Sequence, residues 1–259
     1  MRLRVLLIAV LAAVALVPMG CKQKRAHTSR LGKSPSPPAL RLAEQLSGEI
    51  VWRVHTGRKI AAITLDDGPD PRFTPTVLKI AKEKGIKLTF FDVGKEIKAH
   101  PDLARQELAE GHVIGNHTWD HPHLPMVSAH TEITEIDHCE REIVKICGEK
   151  THLFRPPYGK WDSDTFIDAT DEGYRIILWT VAVEHRTAKT PEAMAKRVIR
   201  KAKPGMIILL HDGELSPKGS REKSMEALPL VIDGLKKKGY EFVTIPELIA
   251  DGDGAPPTR

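Results

Sequence analysis

The sequence holds only three cysteines, no acidic residue before position 42 and no apolar run long enough for a comfortable membrane span. Each shortage removes a class of protein. Three cysteines are too few for a disulfide framework, even in an oxidising compartment. Cys139 and Cys147 stand eight apart in a stretch where Ile133, Ile136, Ile143 and Ile146 recur at helical spacing, which separates them by roughly 12 Å along a helix. A disulfide does not reach that far, so they read as two buried helix thiols. The missing acidic residues leave eight cationic side chains in the first 41 positions, and removing these from the formal net charge of +5 leaves −3 for the rest. A mildly acidic folded part carries no electrostatic footprint for nucleic acid.

What is present at the N-terminus is an export signal. Arg2 and Arg4 precede thirteen apolar residues from Val5 to Val17, too short to span a bilayer comfortably and followed by small residues. The stretch Val17-Pro18-Met19-Gly20-Cys21 resembles a bacterial lipobox, in which the cysteine is lipidated and becomes the new N-terminus. Proline and methionine stand where leucine and a small residue are usual. Residues 1–20 are thus expected to be a signal peptide and 21–47 a lipidated cysteine with a disordered basic tether, rich in Ser and Pro around Ser34-Pro35-Ser36-Pro37-Pro38. Residues 48–259 remain for one catalytic domain with a large core. The expected location is the bacterial cell envelope, membrane-anchored through Cys21, with a secreted or periplasmic protein as the alternative.

After the tether, strand-like and helix-like segments alternate. Strands are expected at Ile60 to Leu65, Ile86 to Val93, His112 to Gly115, His152 to Phe154, Tyr174 to Val181, Met206 to Leu210 and Tyr240 to Ile245. Helices between them begin at Thr74-Pro75 and Thr190-Pro191 and stop at Gly85, Gly111, Gly173 and Gly239. Apolar strands separated by helices predict a parallel sheet covered on both sides. About seven such units predict an α/β fold, a distorted (β/α) barrel whose chemistry sits past the C-terminal ends of its strands.

Four segments fall at such ends. Thr64-Leu65-Asp66-Asp67-Gly68-Pro69 puts two carboxylates at a strand end, pointing in opposite directions so that they can do different jobs; alone, it also suits an ordinary turn. In Asn116-His117-Thr118-Trp119-Asp120-His121-Pro122-His123, two histidines four apart can offer ring nitrogens to one metal ion. With one carboxylate they form a two-histidine, one-carboxylate face with open positions. His123 is a third histidine nearby. In Arg155-Pro156-Pro157-Tyr158-Gly159 a proline pair fixes the backbone, so that the arginine can lock a carboxylate and the Tyr158 N–H can serve an oxyanion. Met206-Ile207-Ile208-Leu209-Leu210-His211 ends an apolar strand on a histidine.

Together, in this order, the four segments resemble the polysaccharide deacetylase family, the family 4 carbohydrate esterases that include nodulation-factor, chitin and peptidoglycan deacetylases. The resemblance runs from about Ile60 to Ile249. It implies that Asp66 is the catalytic base, that Asp67, His117 and His121 hold one divalent metal ion, with zinc expected, and that Thr118 orders the histidine loop. It further implies that Arg155 holds the base, that Tyr158 supplies the oxyanion donor, that Leu209 walls the acetyl pocket and that His211 is the general acid. Pro157, Tyr158, Trp179 and Leu209 are the expected substrate-binding residues. His123 matches nothing in the family pattern.

One motif departs from that pattern, which usually reads Trp, any, Val, Asp, any, any, Asp, Trp. Here the chain has Trp179-Thr180-Val181-Ala182-Val183-Glu184-His185-Arg186, without either aspartate. The second aspartate normally supports the catalytic histidine, and Glu184, one position away, is the candidate replacement. The expected activity is metal-dependent removal of N-acetyl groups from an amino-sugar polymer or oligomer. Its rivals are a related barrel acting on a non-sugar amide or on O-acetyl groups, and a deacetylase-like module that binds glycan without turnover.

Overall fold

The structure, a computed structural model, describes residues 50–215 and 221–253. The expected signal peptide, Cys21 and the tether lie outside the described residues. Among the described residues, nine strands form one sheet: β1 (Ile50–Val51), β2 (Ile60–Asp66), β3 (Thr89–Asp92), β4 (Val113–Asn116), β5 (Leu153–Phe154), β6 (Arg175–Ile177), β7 (Val181–Ala182), β8 (Met206–His211) and β9 (Glu241–Phe242). Eight helices accompany them: α1 (Thr74–Lys84), α2 (Gly94–Ala99), α3 (Pro101–Ala109), α4 (Ala129–Cys147), α5 (Ser163–Asp171), α6 (Pro191–Arg200), α7 (Glu222–Lys237) and α8 (Ile245–Asp253).

Every strand pair is parallel, in the order β1-β6-β5-β4-β3-β2-β8-β7, with β9 joined to the start of β2. The sheet curls into the expected distorted barrel. Residues just after β1 bridge its seam: Thr180 Oγ1 donates to Trp52 O at 2.8 Å, and Val54 N donates to Gly205 O at 2.9 Å.

Period-two alternation decides what faces the interior. Ala61, Ile63 and Leu65 of β2, with Met206, Ile208 and Leu210 of β8, pack outward in a cluster with helix residues such as Val77, Val198 and Leu228. Ile60, Ala62 and Ile207 pack with Ile245 and Leu248 of α8 in another. The second set continues along its strands as Thr64, Asp66, Leu209 and His211, so the same alternation that plugs one end with apolar side chains delivers polar ones to the other.

Several element boundaries differ from the sequence expectation. The strand expected over Tyr174 to Val181 splits into β6 and β7, because the Arg155 guanidinium takes the Ile177 and Leu178 carbonyls that a neighbouring strand would use. The strand expected over Tyr240 to Ile245 shrinks to Glu241–Phe242, since Glu247 Oε2 accepts from both Thr244 N and Thr244 Oγ1 at 2.8 Å and starts α8. Thr74 does not cap α1. The cap position is Phe73, and Thr74 Oγ1 instead donates to Asp212 Oδ2 at 2.5 Å. The strand expected over Ile86 to Val93 narrows to Thr89–Asp92 and is followed by the short α2. Cys139 is buried in α4, while Cys147 at its end is only half-buried; both are free thiols.

Behind the sheet lies a carboxyl pair that no motif announced. Asp92 ends β3 and Glu107 sits on α3; both are fully buried, and none of their four oxygens meets a donor from another group. Burial drives Asp92 up to about 7, against opposing interactions with Glu107 and His117. Burial, then the neighbouring Asp92 charge, drives Glu107 well above the carboxylate range. The pair is therefore protonated in the folded state at pH values where an unfolded chain, near 4, is ionised. The folded state binds more protons, so this contribution is present below pH ~4 and is lost as pH rises through about 7. Replacing the pair in the metal-stripped protein (Asp92→Val with Glu107→Leu) is expected to raise Tm by on the order of 5 °C at pH 8. The gain should shrink toward pH 5 in thermal melts; an equal gain at both values refutes the protonated pair.

Candidate active site

Parallel register assembles the site. Asp66 on β2 stands opposite His211 on β8, Asp92 pairs with Asn116, and Asn116 pairs with Phe154, so His117 and Arg155 emerge side by side at the same end. The chain past β2 then bends sharply. Asp67 has φ 74°, and Thr118, His121 and Tyr158 also have φ between 56° and 69°; these four are the positive-φ non-glycine residues among the described ones. Such conformations cost about 1–3 kcal/mol each and persist only where surroundings enforce them. The left-handed turn at Asp67 overrides strand alternation. Asp66 and Asp67 therefore both face His117, with oxygens 3.7 and 3.6 Å from its Nε2, and do not point in opposite directions as the strand pattern predicts.

Arg155 holds Asp66. Its side chain is completely buried; Nη1 donates to Asp66 Oδ1 at 2.6 Å and to Thr64 Oγ1 at 2.8 Å, while Nε donates to Ile177 O at 2.8 Å. The guanidinium lies 4.0 Å over the Phe91 ring. Burial lowers its pKa and Asp66 opposes the shift, so the two charges depend on each other. Removing one partner of such a pair typically costs 3–5 kcal/mol.

Asp67, His117 and His121 form a three-ligand cluster, with one ligand atom from each lying within 4.8 Å of the others. His117 Nδ1 lies 2.6 Å from Arg155 O. A carbonyl only accepts, so Nδ1 carries the proton and Nε2 presents its lone pair to the cluster. The His121 backbone N–H donates to Thr118 Oγ1 at 3.1 Å, which is the ordering role expected of Thr118. Burial, then the neighbouring His117, pulls His121 down to about 4, leaving a neutral imidazole. Burial pushes Asp67 the other way, but His117, His211 and His121 outweigh it and hold the carboxyl at about 2. Asp67 Oδ1 is buried without a donor, 3.3 Å from His121 Nε2. An orphaned carboxylate oxygen between two imidazole nitrogens fits a divalent cation.

The altered motif resolves in space. Glu184 Oε2 lies 3.4 Å from His211 Nδ1, and Glu184 Oε1 accepts from Ser224 Oγ at 2.7 Å and from His211 N at 3.3 Å. Burial would lower the pKa of His211, but Glu184 outweighs it and raises the value. His185 is exposed, and its Nδ1 is 2.8 Å from Thr187 Oγ1. Ala182 pairs with Leu209 in the sheet and lends its carbonyl to Arg197. The carboxylate partner of the histidine has thus moved to Glu184. Glu184→Gln should lower the His211 pKa and move the alkaline limb of the pH–kcat profile down by on the order of one unit. His185→Asp should leave that limb in place; a limb unmoved by Glu184→Gln rules out His211 as the titrating acid.

The remaining expected residues line the same end. Leu209 is buried between Thr64 and Ala182, Pro157 is buried, and Trp179 is half-buried. A side chain on Gly159 would meet Trp179 at 2.6 Å, so glycine lets the Arg155 loop close on the indole. The motifs did not reveal Ser224 or Arg221, whose Nη2 lies 3.3 Å from Asp67 Oδ2; both act from α7 and its cap, and carry no local signature.

Comparison with known proteins finds relatives over most of the chain. The polysaccharide deacetylase family profile matches residues 53–177. The chain is 37% identical over 212 residues to a peptidoglycan-N-acetylglucosamine deacetylase of Bacillus cereus, covering 81% of this chain and 97% of that relative. It is 33% identical over 202 residues to a chitooligosaccharide deacetylase of Azorhizobium caulinodans, covering 75% and 96% of the two. The crystal structure of the Bc1960 peptidoglycan N-acetylglucosamine deacetylase matches with a TM-score of 0.75 at 31% identity, covering 82% of this chain and 96% of that one.

Proposed function

Because this chain belongs to the polysaccharide deacetylase family, we propose that it hydrolyses N-acetyl groups on amino-sugar polymers or oligomers of the cell envelope, peptidoglycan or a chitin-like glycan, using one zinc ion. The observation that carries this reading is the pairing of Asp66 with His211 across adjacent strands, beside the buried cluster of Asp67, His117 and His121. Two imidazoles and one carboxylate suit zinc.

A divalent ion in that cluster supplies a Lewis acid that polarises the acetyl carbonyl and makes water nucleophilic near neutral pH. Asp66 takes the proton of the attacking water at Oδ2, since Oδ1 is occupied by Arg155. The buried guanidinium keeps that carboxylate oriented for proton transfer. His211, protonated with the help of Glu184, gives a proton to the leaving nitrogen from Nε2, because Nδ1 faces Glu184. An amide nitrogen departs as a free amine only when protonated, so an acid is required as well as a base. The Tyr158 backbone N–H serves the oxyanion, and Leu209, Pro157 and Trp179 shape the acetyl pocket. The products are acetate and a free amino sugar.

The test is acetate release from N-acetylglucosamine oligomers, peptidoglycan and an O-acetylated xylan, with metal-stripped and metal-restored protein. The reading requires release from an N-acetylated glycan that depends on metal; glycan binding without any acetate favours the non-catalytic module. We also infer export and membrane anchoring, supported by the apolar leader and Cys21. In a bacterium that processes lipoproteins the full chain should fractionate with membranes and Cys21→Ala should not; a wholly soluble wild type excludes lipidation.

A further inference from the structure

Two rings from different loops meet at the rim of the site; the chemistry above uses only the backbone N–H of Tyr158, not its ring, and does not use His123. His123, in the loop after β4, stacks on Tyr158, in the loop after β5, with ring centroids 5.1 Å apart and planes 22° from parallel. Tyr158 is also packed edge-on against His121, at 4.6 Å between centroids. The His123 and Tyr158 rings are open to solvent, and Tyr158 is 58% exposed. A stack of two exposed rings leaves flat apolar surface in water, the kind of feature that marks a binding surface.

The stack is also held in place before any ligand arrives. Tyr158 sits at φ 59° between Pro157 and Gly159, and Gly159 is closed against Trp179. His123 O accepts from Met126 N at 2.8 Å, which turns its loop back on itself. A preset flat surface loses little freedom on binding. His123 lies one ring beyond His121, and the Tyr158 N–H assigned to the oxyanion puts the sugar that carries the acetyl group beside these rings.

We propose that His123 and Tyr158 form a stacking platform for a second sugar ring of the glycan, adjoining the residue that loses its acetyl group. This rests on the deacetylase reading. A pyranose presents a face of C–H groups that packs on an aromatic face by dispersion, without need of charge. The platform makes the enzyme one of chains and not of single amino sugars, and it assigns His123 a role in choosing substrate length.

The experiment is steady-state kinetics on N-acetylglucosamine oligomers of increasing length, with metal content measured for every variant. His123→Ala should raise KM for the longest oligomer about tenfold, a loss the size of one aromatic contact, with kcat within about twofold. The shift in KM should be much smaller for the shortest oligomer cleaved, and His123→Phe should restore the long-oligomer value. An equal loss at all lengths, a fall in kcat or a loss of metal would mean that His123 merely supports His121, and no change at any length would likewise overturn the platform. If the wild type releases no acetate from any glycan, the deacetylase reading fails separately. Calorimetric binding of the uncleaved oligomers then tests the platform, which requires weaker binding by His123→Ala and recovery by His123→Phe.

Discussion

His117→Ala is expected to reduce bound divalent ion from close to one per chain to a small fraction, and to bring deacetylation down to near background. His117 Nε2 lies 3.6 Å from Asp67 Oδ1 and 3.7 Å from Asp66 Oδ2, so it stands between the carboxylate of the cluster and the base. Its Nδ1 bond to Arg155 O sets its orientation. Losing an outer partner of a metal ligand costs roughly 10- to 100-fold in affinity, and losing the ligand itself should cost more. Metal analysis of protein purified alongside the wild type checks this, and circular dichroism shows whether the variant has folded. Full metal content in a folded His117→Ala protein removes the assigned ligand set.

Asp66→Asn should have the opposite signature: metal retained, turnover down by on the order of 10² to 10⁴, as for loss of a general base. The amide carbonyl can still accept from Arg155 Nη1, now 2.6 Å from Asp66 Oδ1, but an NH2 group at the other position cannot take a proton. The substitution also leaves a buried arginine without its counter-charge. A lower Tm is expected with it, so rates must be compared well below the transition. If Asp66→Asn and Asp67→Asn lose metal equally, the division of labour between the two carboxylates is wrong.

The barrel and most of the site were legible because both rest on short-range patterns. An apolar strand ending in Asp66-Asp67 or in His211 names its own position, and parallel pairing then brings those ends together. Proline and glycine marked Pro191 and Gly85 as helix boundaries correctly. What could not be read depends on contacts distant in sequence. The carbonyls that interrupt the strand after Ile177 are claimed by Arg155, 22 positions earlier. The turn at Asp67 reverses an alternation argument that is sound for regular strands. Glu184 was visible only as a neighbour of a missing aspartate; its role comes from Ser224, 40 residues away. The buried carboxyls of Asp92 and Glu107 broke the apolar pattern expected of a core, yet nothing local distinguishes them from surface acids.

The register of β2 against β8 runs over six residue pairs and ends on Asp66 opposite His211. Adjacent strands are about 4.8 Å apart, so the spacing of Asp66 and His211, the proposed base and acid, is a property of the sheet, and no loop sets it. Slipping either strand by one residue would turn its catalytic side chain to the opposite face. Insertions are therefore excluded from the strands and admitted in loops that hold none of the reacting groups, such as the stretch past His121 that carries His123. A protein engineer wishing to change the glycan accepted has those loops to vary, while the spacing of Asp66 and His211 stays constant.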